Sequence, residues 1–141
     1  MEMEQLATVE LRYITLDALD YGSGGQLFGT MEGSLAGRRL NGTMRLTNLA
    51  PRRSDNVNLP TLRGVVTTDD GAVAWVEIDG IATLRPHDHA RVFVTSVRFR
   101  TGDERYGWLN TVFGVLEGVL DSVGVGGMAR GNLLECRATL T

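Results

Sequence analysis

Short segments in which apolar and polar residues alternate recur along the chain, and this period of two predicts β-strands. In residues 9–15, Val9, Leu11 and Tyr13 fall on one face, and charged side chains fall on the other. Residues 91–100 alternate in the same way, and one face carries Phe93, Thr95, Val97 and Phe99. Successive side chains of a strand point to opposite faces of a sheet, so each segment has one face suited to a core.

Glycines and other turn-forming residues separate these segments, and no stretch of helical length shows an apolar period of 3.6 residues. The Asp-Gly pair at positions 70–71 is typical of a hairpin turn. We expect loops at residues 33–37 and 51–58 and a short helical turn at residues 103–109. The predicted strands are residues 9–15, 26–31, 42–49, 59–68, 72–78, 91–100, 110–120 and 128–140.

Eight to nine short strands in neighbouring hairpins predict an all-β fold in a single domain, residues 1–141. This length is typical of one domain. An antiparallel up-and-down β-barrel is the expected closure, because it removes the unpaired edges of the sheet. A barrel of about eight strands is either filled by side chains or holds one small ligand.

Composition narrows the function mainly by exclusion. All 14 basic residues are arginine, which excludes Schiff-base lysines, phosphate-loop lysines and Ser-x-x-Lys pairs. The net charge of −3 argues against a nucleic-acid partner. Cys136 is the single cysteine, so no intrachain disulfide can form. No apolar run approaches the roughly 18 residues of a membrane span, and we expect a soluble, cytoplasmic protein without a membrane partner.

The most specific motif of the chain lies at residues 93–110. The positions that carry it are Phe93, Thr95, Arg98, Phe99, Thr101, Asp103, Arg105, Tyr106, Trp108, Leu109 and Asn110. With weaker matches at residues 29–42 and 68–72, the sequence resembles the UPF0311 family, also described as domain of unknown function 3237. The resemblance covers roughly residues 25–140. It implies a small calycin-like β-barrel with a hydrophobic pocket at one mouth, and often a homodimer, but no general activity.

Residues 45–51 depart from the pattern of that family. Its members typically have Gly-Gly-Ala-Asp-Trp after the glycine-rich start, whereas this chain has Arg-Leu-Thr-Asn-Leu-Ala-Pro. The absence of that Asp and that Trp predicts a divergent member with a more apolar pocket.

Trp108 and Asn110 allow two interpretations. In the first, aromatic side chains plug one end of the barrel and Asn110 holds a tight turn, since buried aromatic residues usually serve packing. In the second, Trp108 is an apolar wall and Asn110 a polar anchor at the mouth of a small-molecule site. The sequence leaves both open.

Trp75 and Glu77 share one face of the segment 72–78, and the other face is Ala-Ala-Val-Ile, the more conventional core. If Glu77 points inward, burial raises its pKa and makes it a candidate general acid or base. If it points outward, Glu77 is solvated and Trp75 lies at an interface.

The remaining candidates for a pocket lining are Tyr13, Met31, Met44, Phe93 and Thr95. Methionine adapts to irregular apolar ligands, and the alternative role of these residues is ordinary core filling. His87 and His89 lie in a loop-like segment without a third ligand pattern, so we expect no metal. We expect no organic cofactor either.

These observations lead to one principal hypothesis, a cofactor-independent cyclase or isomerase that acts on an apolar polyketide-type molecule inside the barrel. Such a cavity holds a flexible substrate in a reactive conformer, including one for a pericyclic step, while Tyr13 or Asn110 polarises a carbonyl group. The alternatives are a non-catalytic small-molecule-binding barrel, an isomerase or dehydratase that uses Glu77 as a proton shuttle, and an interaction protein with a filled barrel.

Overall fold

Eight antiparallel strands form one closed barrel, in which each strand pairs with the next in sequence and the last pairs with the first. The computed structural model describes residues 1–140. The strands are β1 (Glu2–Asp20), β2 (Gly24–Ala36), β3 (Gly42–Arg53), β4 (Thr61–Thr68), β5 (Val73–Leu84), β6 (Arg91–Arg100), β7 (Phe113–Leu120) and β8 (Met128–Arg137). A 3-10 helix, Glu104–Thr111, lies between β6 and β7. The predicted all-β, up-and-down barrel with one short helical turn is confirmed.

Strands β1, β2, β3 and β5 are longer than the alternation of the sequence predicted, β6 has the predicted bounds, and β4, β7 and β8 are shorter. Residues 33–37 were expected to form a loop, but β2 continues through them to Ala36. Gly33 pairs with Leu11 on β1 and with Met44 on β3. Pairing on both sides overrides the turn signal of the glycines, because tertiary context outweighs local preference in sheets. The loop predicted at residues 51–58 begins only after Arg53, since β3 extends to that residue.

The inward faces of the strands fill the barrel with apolar side chains. On β1 the buried residues are Val9, Leu11 and Tyr13, as the alternation predicted. On β5 the buried face includes Val76 and Ile78, so the conventional apolar face of that segment is the inward one. Burial of this apolar surface is the main term that stabilises the barrel.

The 3-10 helix closes one end of the barrel, which we call the closed end. Asp103 caps the helix, and its carboxylate accepts a hydrogen bond from the Arg105 backbone N–H at 2.9 Å. Leu109 on the helix is fully buried, as is Leu40 in the connection between β2 and β3 at the same end. The opposite end, where β5 leads into β6 and β7 leads into β8, is called the open end. No helix within residues 1–140 is long and apolar enough to span a membrane.

Candidate functional site

A cavity lies inside the barrel at the open end, and every strand contributes to its wall. Its volume is about 70 Å³, and the empty space of cavity and mouth together, including open solvent, is about 590 Å³. Most of the wall is apolar. The lining residues with polar groups are Tyr13, Asn48, Asn58, Arg91 and Thr95. A few polar groups in an apolar concavity are the usual composition of a small-molecule site.

The volume limits what fits in the cavity as it stands. A dry protein cavity of about 150 Å³ accommodates benzene, and sites for drug-sized ligands span roughly 300–1,000 Å³. The 70 Å³ of this cavity therefore holds a short chain or a small polar group. A larger ligand has to extend into the mouth.

Tyr13 and Asn48 form a buried polar pair in the wall. The Asn48 side-chain amide donates to the Tyr13 hydroxyl oxygen at 2.8 Å, and its carbonyl oxygen accepts from the Thr61 backbone N–H at 3.1 Å. Both ends of the Asn48 amide are thus engaged, which determines its orientation. Within residues 1–140 the hydroxyl hydrogen of Tyr13 has no acceptor, so Tyr13 offers a hydrogen-bond donor to the cavity. Burial raises the pKa of Tyr13, and the hydrogen bond from Asn48 offsets part of the rise.

Arg91 and Asn58 bring further polar atoms to the same cavity. Arg91 begins β6 and is 7% exposed; its guanidinium donates to the Asn56 carbonyl oxygen at 2.5 Å and to the Asn56 side-chain oxygen at 3.0 Å. Asn56 adopts φ = 67°, a left-handed conformation that asparagine tolerates. Among the described residues, Arg91 Nε and Asn58 Oδ1 are the two buried side-chain polar atoms without a hydrogen-bond partner. Such orphaned atoms are rare in folded proteins.

The environment of Arg91 disfavours its charge. Burial lowers the pKa of the Arg91 guanidinium, and the like charge of Arg52 lowers it further. Arg52 itself pairs with Asp20 at 3.3 Å. An arginine nevertheless stays protonated near neutral pH because its ordinary pKa is above 12. The cavity wall therefore contains a cation.

Two glycines make room for the β6 side chains that line the cavity. Gly118 pairs with Phe93, and a Cβ atom at Gly118 would lie 2.6 Å from the Phe93 ring. Gly80 pairs with Thr95, and a Cβ there would lie 2.6 Å from the Thr95 Cα atom. Any larger residue at either position displaces the wall. The glycines act here through close approach and not through unusual dihedral angles.

The sequence-predicted residues fall into three groups by location. Tyr13, Met31, Phe93 and Thr95 line the cavity. Met44 was also expected in the lining, but it is buried among the packed side chains deeper in the barrel. Its position on β3 is nearer the closed end than that of Asn48, so packing fills the space around it.

Glu77 and Trp75 lie on the outer face of β5. Glu77 contacts Arg100 at 2.8 Å and Arg63 at 3.4 Å, and Trp75 is 39% exposed. The inward interpretation of Glu77 is therefore wrong, because strand alternation turns Val76 and Ile78 inward instead. A proton shuttle inside the barrel cannot use this carboxylate.

Trp108 and Asn110 lie at the closed end, away from the cavity. The Asn110 side chain accepts from the Thr101 backbone N–H at 2.8 Å and donates to the Thr101 carbonyl at 3.0 Å. Trp108 packs against the core, with the Arg39 guanidinium 4.2 Å from its ring centre. Their placement matches the interpretation in which aromatic residues plug the barrel and Asn110 holds a turn. The expected roles at the pocket mouth are wrong for both.

Three polar residues of the site were not singled out from the sequence. Arg91 has the same strand parity as Phe93, so extending the alternation of β6 by one step places it inward. Asn48 shares the inward parity of Met44 and Leu46, and a polar residue on an apolar face is itself a signal. Asn58 is the last residue of the predicted polar loop 51–58 and carries no periodic signal. The pocket is accordingly less apolar than the departure at residues 45–51 suggested.

Several solved structures have the same fold at low sequence identity. A β-barrel-like protein from Acinetobacter baumannii AYE superposes with a TM-score of 0.81 at 16% identity over 96% of each chain. A protein of unknown function from Clostridium acetobutylicum gives 0.82 at 17% identity over 96% of each chain. An enzyme from Penicillium herquei gives 0.66 at 21% identity, over 94% of this chain and 93% of that chain. These likenesses show the barrel fold alone.

Comparison at the level of sequence gives no further assignment. No family model matches the chain, and no curated protein matches it. Within residues 1–140, no three His, Cys, Asp or Glu side chains are grouped closely enough to hold a metal ion.

Proposed function

We propose that this protein is a small-molecule-binding barrel whose ligand inserts a polar end into the cavity at the open end. One observation carries the proposal: the buried polar atoms without a partner in residues 1–140, Arg91 Nε and Asn58 Oδ1, both belong to residues that line this cavity. Leaving buried polar groups unsatisfied is unfavourable. A ligand that supplies their partners recovers that free energy on binding.

Binding is tested with butanol, hexanol and octanol as probes, followed by NMR shifts of assigned methyl groups. We expect saturable shifts at Met31 and Leu116, which line the cavity, and none at Leu109 at the closed end. Tyr13→Phe is expected to weaken binding about tenfold, since it removes one neutral hydrogen bond. Tyr21→Phe is the matched control, because Tyr21 is exposed. Shifts spread evenly over the barrel, or none at all, contradict the proposal.

The finer proposal is turnover: cofactor-independent cyclisation or isomerisation of an apolar polyketide-type substrate. Two points support it. The Tyr13 hydroxyl is positioned to donate to a carbonyl group that develops negative charge, and a barrel of the same fold from Penicillium herquei is an enzyme. A polyketide-type molecule exceeds the 70 Å³ cavity, so most of its body would occupy the mouth.

Turnover is measured by mass spectrometry and chromatography of flexible polyketone substrates incubated with the protein and a metal chelator. The conformer-holding mechanism predicts cyclised product and a rate reduced about 10²-fold or more by Tyr13→Phe. Binding without product supports the non-catalytic carrier instead. The version that uses Glu77 as a proton shuttle is not retained, since Glu77 is ion-paired on the outer surface.

The resemblance to the UPF0311 family and the homodimer that it implies stay predictions. Most of the motif at residues 93–110 builds the closed end: Asp103 caps the 3-10 helix, and the Tyr106 hydroxyl donates to Asp70 at 2.9 Å. Phe93 and Thr95 are the motif residues that line the cavity. A family defined by this motif would therefore share its scaffold more than its ligand.

A further inference from the structure

Arg91 is the only charged residue in the buried class within residues 1–140. The charged groups of its surroundings do not neutralise it: no carboxylate of the described chain lies within ion-pair distance, and Arg52, the like charge that acts on it, pairs with Asp20. A buried charge is strongly unfavourable unless an opposite charge accompanies it. The protein thus maintains an uncompensated cation in the wall of an apolar cavity.

The guanidinium also has hydrogen-bonding capacity to spare. Of its five N–H groups, two are engaged by Asn56. The Nε–H is buried and has no acceptor in residues 1–140, and the Tyr13 hydroxyl hydrogen faces the same cavity without an acceptor there. Two donors without an acceptor among residues 1–140 therefore belong to residues that line the same cavity, and one of these residues is a cation.

The hydrogen bonds to Asn56 give Arg91 a structural role, but that role does not require its charge. Asn56 presents two neutral oxygens, and a neutral donor on Arg91's position would satisfy them without burying a charge. Retaining the charge at a position 7% exposed makes sense if a negative partner arrives from outside the chain. Arginine forms strong hydrogen bonds to both carboxylates and phosphates, and the small, mostly apolar cavity favours the carboxylate, which is the smaller group with the lower charge.

We propose that the ligand of this cavity is an organic carboxylate, a largely apolar acid whose carboxylate accepts hydrogen bonds from Arg91 and Tyr13. The inference rests on the proposed binding function and narrows it to acids. A hydroxyl group on the ligand beside the carboxylate would supply the donor that Asn58 Oδ1 lacks within the described residues. The ligand class is therefore a small aliphatic acid or hydroxy acid, or the acid end of a longer chain that continues into the mouth.

The test compares hexanoate with hexanol, which share an alkyl chain and differ in charge. Affinities for both are measured by NMR titration or calorimetry on the wild type, Arg91→Met and Arg98→Met. Arg98 is the matched control, since it lies on the same strand but is exposed. We expect hexanoate to bind at least about tenfold more tightly than hexanol, a difference of about 1.4 kcal/mol. Arg91→Met should abolish that preference, and Arg98→Met should keep it.

The outcomes distinguish a failure of the carboxylate inference from a failure of the proposed binding function. Equal affinity for the two probes, or a preference that survives Arg91→Met, overturns the acid inference and leaves the binding site standing. If neither probe binds, both the carboxylate inference and the proposed binding function are refuted. If Arg91→Met does not fold, Arg91→Lys and Arg91→Gln supply the same comparison: lysine should keep a preference for hexanoate, and glutamine should lose it.

Discussion

The hydrogen bond between Tyr13 and Asn48 gives the sharpest test of the cavity wall. Tyr13→Phe removes the acceptor and leaves the Asn48 side-chain amide, 5% exposed, without its partner at 2.8 Å. An unsatisfied buried donor costs about 1–3 kcal/mol, and access to water through the mouth reduces the value toward the lower end. We expect a loss of about 1–2 kcal/mol. For a domain of this size that lowers Tm by about 3–8 °C.

Asn48→Ala should destabilise more, because it breaks the bond to Tyr13 and also the bond to the Thr61 backbone N–H at 3.1 Å. Two lost hydrogen bonds and a small cavity amount to about 2–4 kcal/mol. In the double variant the two losses overlap. Chemical denaturation of the wild type, the two single variants and the double variant gives the interaction energy between the two residues, which we expect to be about 1 kcal/mol.

Tyr21→Phe serves as the control, since Tyr21 is exposed and its change should stay within about 0.5 kcal/mol. An interaction energy between Tyr13 and Asn48 below the ~0.3–0.5 kcal/mol of independent sites would refute the reasoning. The Tyr13 hydroxyl would then not be oriented by Asn48, and its role as a donor to the ligand would lose its structural basis.

The remaining predictions concern the outer surface and the closed end. Glu77→Gln should leave ligand binding and any turnover unchanged. Its free energy of unfolding in urea should fall by at most about 1 kcal/mol, since the ion pairs of Glu77 lie at the surface. A loss of turnover contradicts the placement of Glu77 outside the barrel. Asn110→Ala should lower stability by about 1–3 kcal/mol, because it removes both hydrogen bonds to the Thr101 backbone. The affinity for hexanol should stay unchanged, and weaker binding would show that the two ends of the barrel are coupled. Hydrogen bonds from Thr68 and, to a lesser extent, Tyr106 lower the pKa of Asp70 below its ordinary 3.8. The stabilisation is therefore present above that pH and is lost as the pH falls through the lower pKa of the folded state. In urea denaturation at several pH values, the stability of Asp70→Asn should fall less steeply toward acid pH than that of the wild type, and an equal fall contradicts the assignment. Light scattering should give a dimeric mass that Trp75→Arg reduces, since Trp75 is exposed on the outer face; a monomeric wild type contradicts the dimer.

The barrel could be predicted from the sequence because the alternation of apolar and polar residues that specifies each strand is local and periodic. The alternation at Val9, Leu11 and Tyr13 specifies which face is buried, and the same rule put Phe93 and Thr95 on one face, which lines the cavity. The ends of the strands were less predictable. Glycines at residues 33–37 suggested a loop, but whether a glycine interrupts a strand depends on its neighbours across the sheet, which are distant in sequence.

The candidate site was predictable only in part, because a site is defined by where strand ends meet. Tyr13 was expected in the lining and lies there, whereas Trp108 and Asn110 share a conspicuous motif and lie at the other end of the barrel. Their residue types, an apolar wall beside one polar anchor, had allowed a place at the mouth of the pocket. In this barrel, however, β6 begins at the open end with Arg91 and ends at Arg100, and the 3-10 helix that carries Trp108 and Asn110 follows at the closed end.

The two ends of the barrel differ in how completely their polar groups are satisfied, and this difference is the strongest argument for function. At the closed end, Asn110, Asp103 and Tyr106 all have partners within the chain. At the open end, the described residues leave Arg91 Nε and Asn58 Oδ1 without one. Selection for stability alone would have removed such groups, since apolar residues of similar size are often equally or more stabilising at buried charged positions. Their retention at one end of an otherwise well-packed barrel supports the proposal that this end binds a ligand.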